Sequence, residues 1–313
     1  MESVSLDTLT FDHPAASRPA RFGAMLSLPM QAASPSSCMV ILTSSAGVQR
    51  HREHFYAQAL NEAGIAALIV DSFGGRGVRR TVADQTLVSA AQMEGDAFAA
   101  LAWLRSDPRI DPGRIGIMGV SKGGGASLAA AIAVRQKWRR GFPHLFDLHV
   151  AICPGATAQH RDPTTHGRPI FFMLAARDDY TPAPLAIEYA ERMRAAGNRA
   201  IKVKVYGGAH HGWESLGPVF DIKDAENWSC CRNYIEDDGR HFVVAAGRAM
   251  PEPEYQAWAR EHCVTRGARA GGGTENLRRR ATSDLIAFLQ DHGFGGASAL
   301  VAKQPQAAPI RVD

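Results

Sequence analysis

Two segments near the start of the chain alternate apolar and polar residues with a period of two. They span residues 3–11 and 21–28, and this pattern predicts two strands that pair antiparallel at the edge of a sheet. The next apolar segments, 38–45 and 65–73, are continuous runs of strand length. Continuous runs of this kind predict parallel strands that are buried on both faces.

Helical and strand-like patterns then take turns along the chain. Helices are predicted over residues 53–64, 89–107, 123–134, 184–197 and 274–293. Further strands are predicted over 114–121, 149–155, 169–179 and 201–208. The repeated β-then-α order predicts an α/β fold whose doubly wound, mostly parallel sheet is flanked by helices on both faces.

One long segment, 212–276, carries neither period. It is rich in tryptophan and cysteine and is too long for a plain connector, so we expect an insertion or cap-like segment before the last helix that covers a site. Residues 1–293 are then one domain. The tail, 294–313, is rich in Gly, Ala and Pro and is expected to be mobile.

Composition narrows the function classes. The net charge of the 313 residues is only +4, and the arginines form short clusters, so we expect solvated faces and no nucleic-acid partner. No apolar run is long enough to span a membrane, and residues 1–30 lack a signal-peptide pattern. We therefore expect a cytoplasmic protein with reduced thiols. Whether any two of Cys230, Cys231 and Cys263 form a disulfide stays open, as does the oligomeric state.

The candidate nucleophile lies where a predicted strand meets a predicted helix. Gly119, Ser121 and Gly123 form a G-x-S-x-G pattern at that junction, which is the context this motif requires. A serine on such a strained turn projects its hydroxyl outward, and side chains at the glycine positions would collide with the strand or the helix. The pattern indicates Ser121 as a nucleophile.

An acid and a base follow two later strands. Asp178 and Asp179 come after the strand over 169–179, and His210 and His211 come after the last predicted strand. Loops at the carboxyl ends of parallel strands share one sheet edge. The chain order Ser, Asp, His is that of an α/β-hydrolase triad, with either Asp and either His open at this point.

The stretches "DSFGGRG", "GVSKGG", "ARDDYTP" and "YGGAHHGW" together resemble the dienelactone hydrolase branch of the α/β-hydrolases. The resemblance runs from about residue 36 to 213 and includes the helix near 277–291. It implies the α/β-hydrolase fold, Asp178 as the acid and His211 as the base, with no cofactor and no metal. The namesake enzymes have a cysteine where this chain has Ser121, which points to a general ester or lactone hydrolase.

The resemblance also implies an oxyanion hole made of backbone N–H groups. One is that of Lys122. The other lies in the loop of residues 43–47, which lacks the family's His-Gly-x-x-Gly pattern, and we assign it to Ser45 with Ala46 as the alternative. The substrate is then a small ester or lactone that forms an acyl-enzyme on the serine.

Two residues are candidates for binding the substrate. Arg76 either clamps a carboxylate of an anionic substrate or pairs with Asp71 or solvent. Trp213 is expected in the pocket wall. The side chain of Lys122 either attracts an anionic substrate or serves only through its backbone N–H.

Other functions fit less well. A P-loop needs G-x-x-x-x-G-K-[ST], but the lysine here precedes the glycines, and no G-x-G-x-x-G follows the first buried strand. The "HREH" at 51–54 is better explained as a solvated helix start than as a metal site. A thioesterase, a peptidase or a non-catalytic binding protein of the same fold remain alternatives.

Overall fold

A computed structural model describes residues 1–13, 16–30, 35–139 and 142–295 of the chain. The strands are β1 (Glu2–His13), β2 (Ala16–Ser27), β3 (Ser36–Leu42), β4 (Ala66–Asp71), β5 (Ile110–Val120), β6 (His149–Ile152), β7 (Ala158–His160), β8 (Ile170–Ala175), β9 (Ile201–Tyr206), β10 (Val219–Asn227), β11 (Asn233–Ile235), β12 (His241–Val243), β13 (Arg248–Met250) and β14 (Thr265–Gly271). The helices are α1 (Phe55–Glu62), α2 (Ala90–Ser106), α3 (Lys122–Ala131), α4 (Ala183–Ala195), α5 (Glu252–His262) and α6 (Glu275–Asp291).

The central sheet has eight strands in the order β1-β2-β4-β3-β5-β6-β8-β9. The six strands from β4 to β9 in that order run parallel, whereas β1 pairs antiparallel with β2, and β2 pairs antiparallel with β4. The predicted α/β fold and its antiparallel edge are therefore confirmed. This order places the ends of β5, β8 and β9, which carry the candidate residues, at one edge.

Both faces of the sheet are covered by helices. Met39 and Ile41 on β3 pack in one core with α1 and α6, whereas Val40 and Leu42 pack in the opposite core with α2 and α3. All four side chains are buried. Successive strand side chains point to opposite faces, so a strand covered on both sides has to be apolar throughout. This explains the continuous apolar runs.

The segment of residues 212–276 folds into short regular elements. β10 and β14 form an antiparallel ribbon, and β11, β12 and β13 form a second sheet in the order β13-β12-β11-β7. The last member, β7, belongs to the chain before β8, so this inserted sheet is hydrogen-bonded to a strand outside the insertion. Four of these strands have only three residues, too few to show a period in the sequence.

A disulfide joins Cys231 to Cys263 within the insertion. Cys38 and Cys153 are buried free thiols, and Cys230 is an exposed one. The structure thus pairs two of the three cysteines whose bonding the sequence leaves open, because a sequence does not reveal which cysteines the fold brings together.

The last helix begins as predicted. The side chain of Thr274 caps α6 by accepting a hydrogen bond from the Leu277 amide at 3.1 Å. Phe294 is buried in the core beside α1 and α6, so the expected mobile tail does not include it. The rest of that tail, 296–313, lies outside the described residues. Among the described helices none has the length and apolar character needed to cross a bilayer.

Candidate active site

Ser121 occupies the tight turn between β5 and α3. Its φ is 59°, a left-handed conformation that is uncommon for a residue with a side chain. A Cβ on Gly119 would lie 2.3 Å from the backbone of Gly123, and a Cβ on Gly123 would lie 2.5 Å from the Thr43 carbonyl oxygen. Both glycines are thus required by close backbone approach, as the motif predicts. Ser121 is buried and lines a cavity.

Asp178 and His211 are brought together at the same sheet edge. His211 Nδ1 lies 2.8 Å from Asp178 Oδ2, and both side chains are buried. The other carboxylate oxygen, Oδ1, accepts hydrogen bonds from the backbone amides of Tyr180 at 2.9 Å and Thr181 at 2.7 Å. These bonds fix the carboxylate, which in turn orients the imidazole and leaves its Nε2 for other partners.

Thr181 is a polar contact that the sequence analysis missed. Its Oγ1 lies 2.9 Å from Asp178 Oδ2, 2.9 Å from the Cys153 carbonyl oxygen and 3.1 Å from His211 Nδ1. Burial raises the pKa of Asp178, but the charge and hydrogen bond of His211 and the bonds from Thr181 outweigh it and hold that pKa below its usual value. A threonine three residues after the candidate acid was the available signal.

Asp179 and His210, the neighbours of the paired residues, contact a different part of the protein. Asp179 accepts hydrogen bonds from Arg269, at 3.0 Å from the backbone amide and 2.7 Å from Nε. His210 borders a shallow surface depression together with Arg269. Of the alternatives left open by the strand ends, the geometry therefore pairs Asp178 with His211.

The side chain of Lys122 is directed into the protein. Its Nζ donates to Thr81 Oγ1 at 2.9 Å, to the Gln85 carbonyl at 2.8 Å and to the Val88 carbonyl at 2.7 Å. Burial lowers the pKa of Lys122 to about 7, while the carboxylates of Asp84 and Glu226 act in the opposite direction. All three ammonium donors are used by the loop of residues 81–88, so the side chain is not offered to a substrate.

The loop of residues 43–47 reaches the same cavity. The Ala46 amide donates to Ser44 Oγ at 3.1 Å, so it is already engaged within the loop. Ser45 Oγ donates to Gln85 Oε1 at 2.8 Å, and Gln85 Nε2 donates to the Tyr180 hydroxyl at 2.8 Å. Lys122, the first residue of α3, supplies an N–H that has no partner within its helix.

The two expected substrate contacts are not at the cavity. Arg76 makes a two-pronged ion pair with Asp96, at 2.7 and 2.9 Å, and also donates to the Ser72 carbonyl. Trp213 is fully buried in the core and packs against Tyr206 with ring centroids 5.2 Å apart. For Arg76 the structure favours the ion-pair alternative, with Asp96 as the partner in place of Asp71. The expectation that Trp213 lies in the pocket wall is corrected, since its apolar bulk fills the interior.

The cavity beside Ser121 has a volume of about 310 Å³, at the small end for ligand pockets. The first helical turn of α3 and the loop of residues 81–88 line it on one side. The insertion lines it on another, through Trp228, His241 and Tyr255 among others. The insertion thus contributes part of the wall of this cavity.

One buried group among the described residues has the composition of a metal site. The ligand atoms of Cys153, Asp178 and His211 lie within 4.8 Å of one another. Burial, followed by the charge of Asp178, raises the pKa of the Cys153 thiol well above its usual value, so it stays protonated. Because His211 Nδ1 and Asp178 are also bound to each other, the group suits a hydrogen-bonded dyad better than a metal ion.

Comparison with known proteins identifies the family of the chain. A family model described as "Dienelactone hydrolase family" matches residues 22–226, which confirms the resemblance read from the motifs. No curated protein matches the chain.

Solved structures share the fold. A candidate dienelactone hydrolase from Klebsiella pneumoniae is 14% identical with a TM-score of 0.53, covering 93% of this chain and 99% of its own. Esterase 2 from Thermogutta terrifontis, phosphorylated by paraoxon, is 16% identical with a TM-score of 0.56, covering 94% and 96%. Its tabun-phosphoramylated form is 14% identical with a TM-score of 0.57, covering 94% and 97%.

Proposed function

The chain belongs to the dienelactone hydrolase family and is a carboxylic ester hydrolase, and we propose that it cleaves small esters or lactones through a Ser121–His211–Asp178 triad. The observation that carries this proposal is the 2.8 Å bond between His211 and Asp178 at the sheet edge that also holds the strained Ser121 turn. No cofactor takes part in the proposed reaction.

The reaction proceeds in two halves. His211 Nε2, the ring nitrogen not engaged by Asp178, takes the proton from Ser121 as the hydroxyl oxygen attacks the ester carbonyl. The C–O bond to the alcohol breaks, His211 returns the proton to the leaving oxygen, and the acyl group stays on the serine. Water then attacks the acyl-enzyme with His211 again acting as base, which releases the acid and regenerates Ser121.

Two backbone amides stabilise the negative oxygen that forms in each half. We assign them to Ser45 and Lys122, since the Ala46 amide is engaged by Ser44. The loss of one such donor typically costs about 3 kcal/mol of transition-state stabilisation. Asp178 keeps the proton on His211 Nδ1 and stabilises the imidazolium.

The test is hydrolysis of a simple aryl ester by Ser121→Ala. The variant should lose activity by a factor of about 10⁴ or more while its circular dichroism stays that of the wild type. His211→Ala should lose a similar factor, whereas His210→Ala should not. Undiminished turnover by Ser121→Ala would refute the nucleophile assignment, and loss in His210→Ala alone would exchange the two histidines.

A covalent probe gives a second readout of the same serine. Esterase 2 from Thermogutta terrifontis is phosphorylated by paraoxon, and the shared fold makes the same reagent suitable here. We expect one added diethylphosphoryl group on the peptide that contains Ser121 and none on Ser121→Ala. A parallel panel of ester, lactone, thioester and peptide substrates then separates esterase from thioesterase and peptidase activity.

A further inference from the structure

One buried histidine on the cavity wall has no role in the proposed triad. His160 ends β7, is 3% exposed and lines the same cavity as Ser121. Neither of its ring nitrogens is hydrogen-bonded to another described residue. A buried polar atom without a partner destabilises the fold, so such a group at a cavity wall points to a ligand that completes it.

The backbone of His160 is held firmly. Its amide donates to the Tyr189 hydroxyl at 3.1 Å, its carbonyl accepts from Arg192 at 3.0 Å, and it pairs with Ile235 of the inserted sheet. Its ring packs against that of Trp138, with centroids 5.8 Å apart. The ring is therefore placed in advance beside an apolar wall, as in a preformed binding site.

Two other polar side chains of the cavity lining, Arg135 and His241, already have partners in the protein. Arg135 donates through Nε to Glu94 Oε2 at 2.7 Å. His241 bonds to Asn233 at 2.9 Å and to Glu252 at 3.2 Å. His160 differs from these two in that both of its ring nitrogens lack a partner among the described residues.

The charges around the cavity favour an uncharged ligand group. Among the described lining residues, Lys122 and Arg135 are matched by Glu226 and Glu252, and the donors of Lys122 are taken by the loop of residues 81–88. Burial, followed by the charges of Arg135 and other cations, keeps the pKa of His160 well below its usual value. A neutral imidazole offers one donor and one acceptor, and a hydroxyl group can pair with either.

We propose that His160 is a specificity-determining residue that hydrogen-bonds an uncharged hydroxyl group carried by the ester substrate. The inference rests on the proposed function, because it takes the cavity beside Ser121 to be the substrate pocket. It assigns the substrate class as hydroxy-substituted esters, in place of the anionic esters expected from Arg76.

The experiment compares methyl esters of ω-hydroxyalkanoic acids with methyl alkanoates of the same length, over a series of chain lengths. For the length that fits, kcat/KM of the wild type should favour the hydroxy ester by about tenfold, the value of one buried hydrogen bond. His160→Phe keeps a ring against Trp138 and should abolish this preference. His262→Phe, the same change at an exposed histidine of the insertion, should retain it.

A binding measurement that keeps His160 covers the case in which His160→Phe fails to fold. On Ser121→Ala, calorimetry should give a Kd about tenfold lower for the methyl ω-hydroxyalkanoate than for the methyl alkanoate of the same length. Equal Kd values for the two kinds of ester at all chain lengths would overturn the proposal. Tighter binding of methyl half-esters of dicarboxylic acids, which carry a carboxylate in place of the hydroxyl group, would also overturn it. Activity retained by Ser121→Ala would instead count against the triad, and the kcat/KM preference of the wild type would still test His160.

Discussion

At the scale of single residues, the acid of the proposed triad can be told apart from its neighbour. Asp178 binds His211, whereas Asp179 binds Arg269. Asp178→Asn should lower kcat for a simple ester by a factor of about 10³–10⁴, because the amide favours the wrong tautomer of the histidine. Steady-state kinetics at neutral pH measures the effect.

The matched control is Asp179→Asn. It removes the charge that pairs with an exposed arginine, so kcat should change by less than about twofold. A large loss in Asp179→Asn together with normal kinetics in Asp178→Asn would exchange the two assignments.

The lowered pKa of Asp178 also predicts a dependence of stability on pH. A carboxyl group whose pKa is lower in the folded than in the unfolded chain stabilises the fold above its unfolded value, near 3.8. That stabilisation is lost as the pH falls through the lower, folded value. The difference in free energy of unfolding between the wild type and Asp178→Asn should therefore be constant at neutral pH and shift against the wild type in acid.

Urea titrations at a series of pH values measure this difference. The two proteins share every other titrating group, so the subtraction removes the contributions of the groups that lie far from Asp178. A difference that does not change between neutral pH and pH values below 3.8 would mean that His211 and Thr181 do not stabilise the ionised carboxylate.

The sequence predicts the groups of the proposed triad more fully than the residues that support them. Ser121 was identifiable because its glycine neighbours record a local steric demand. Thr181 was missed, and Arg76 and Trp213 were misplaced, because their roles depend on partners that only the fold supplies: Cys153 for the threonine, Asp96 for the arginine, Tyr206 for the tryptophan. Local motifs report local geometry, whereas pocket walls are made of distant segments.

At the scale of elements, Lys122 joins the start of α3 to the loop of residues 81–88. Lys122→Met keeps the backbone N–H of the oxyanion hole but leaves three buried acceptors without their donor. We expect a loss of about 2 kcal/mol or more in the free energy of unfolding and faster amide exchange in the loop. Lys223→Met, at an exposed position on β10, should change stability by less than about 0.5 kcal/mol.

The same loop also reaches the other side of the proposed oxyanion hole. Gln85 bonds to Ser45 and Tyr180, and its backbone amide donates to Glu226 at 2.7 Å. Loosening the loop should therefore lower kcat as well as stability in Lys122→Met. Wild-type stability and exchange in that variant would show that the loop is held by other contacts.

The secondary structure was predictable to the extent that burial leaves a period. The strands of the central sheet and the helices that cover it were found, since each buries a long apolar face. The strands inside the insertion were not predicted, because those of its second sheet have only three residues and pack on a small core around Tyr255 and Met250. The length and aromatic content of the insertion predict only that it covers a site.

At the scale of the whole molecule, the disulfide between Cys231 and Cys263 closes a loop of 32 residues in the insertion. Replacing both cysteines by serine should lower the stability of the protein by about 3 kcal/mol, since the unfolded chain regains its freedom. KM should rise, because Tyr255 lines the cavity and its hydroxyl donates to the Cys231 carbonyl at 3.2 Å. Thermal unfolding and ester kinetics measure the two effects.

The control for this variant is Cys230→Ser, which removes an exposed free thiol and should leave both quantities unchanged. Unchanged stability on loss of the Cys231–Cys263 pair would contradict the prediction. Disulfides persist mainly in oxidising compartments, so the bond weighs against the cytoplasmic location expected from the sequence, which stays a prediction.

The pairing of β7 with β11 has a consequence for how specificity can be transferred between relatives. His160 stands on β7, before the strand that carries the acid, whereas its neighbours on the inserted sheet come more than 70 residues later. A chimaera that exchanged only residues 212–276 would receive the part of the cavity wall that the inserted sheet supplies, but it would keep the part that β7 supplies. Under the proposed role of His160, substrate preference therefore resides in two distant stretches of the chain, and exchanging it requires both to be replaced together.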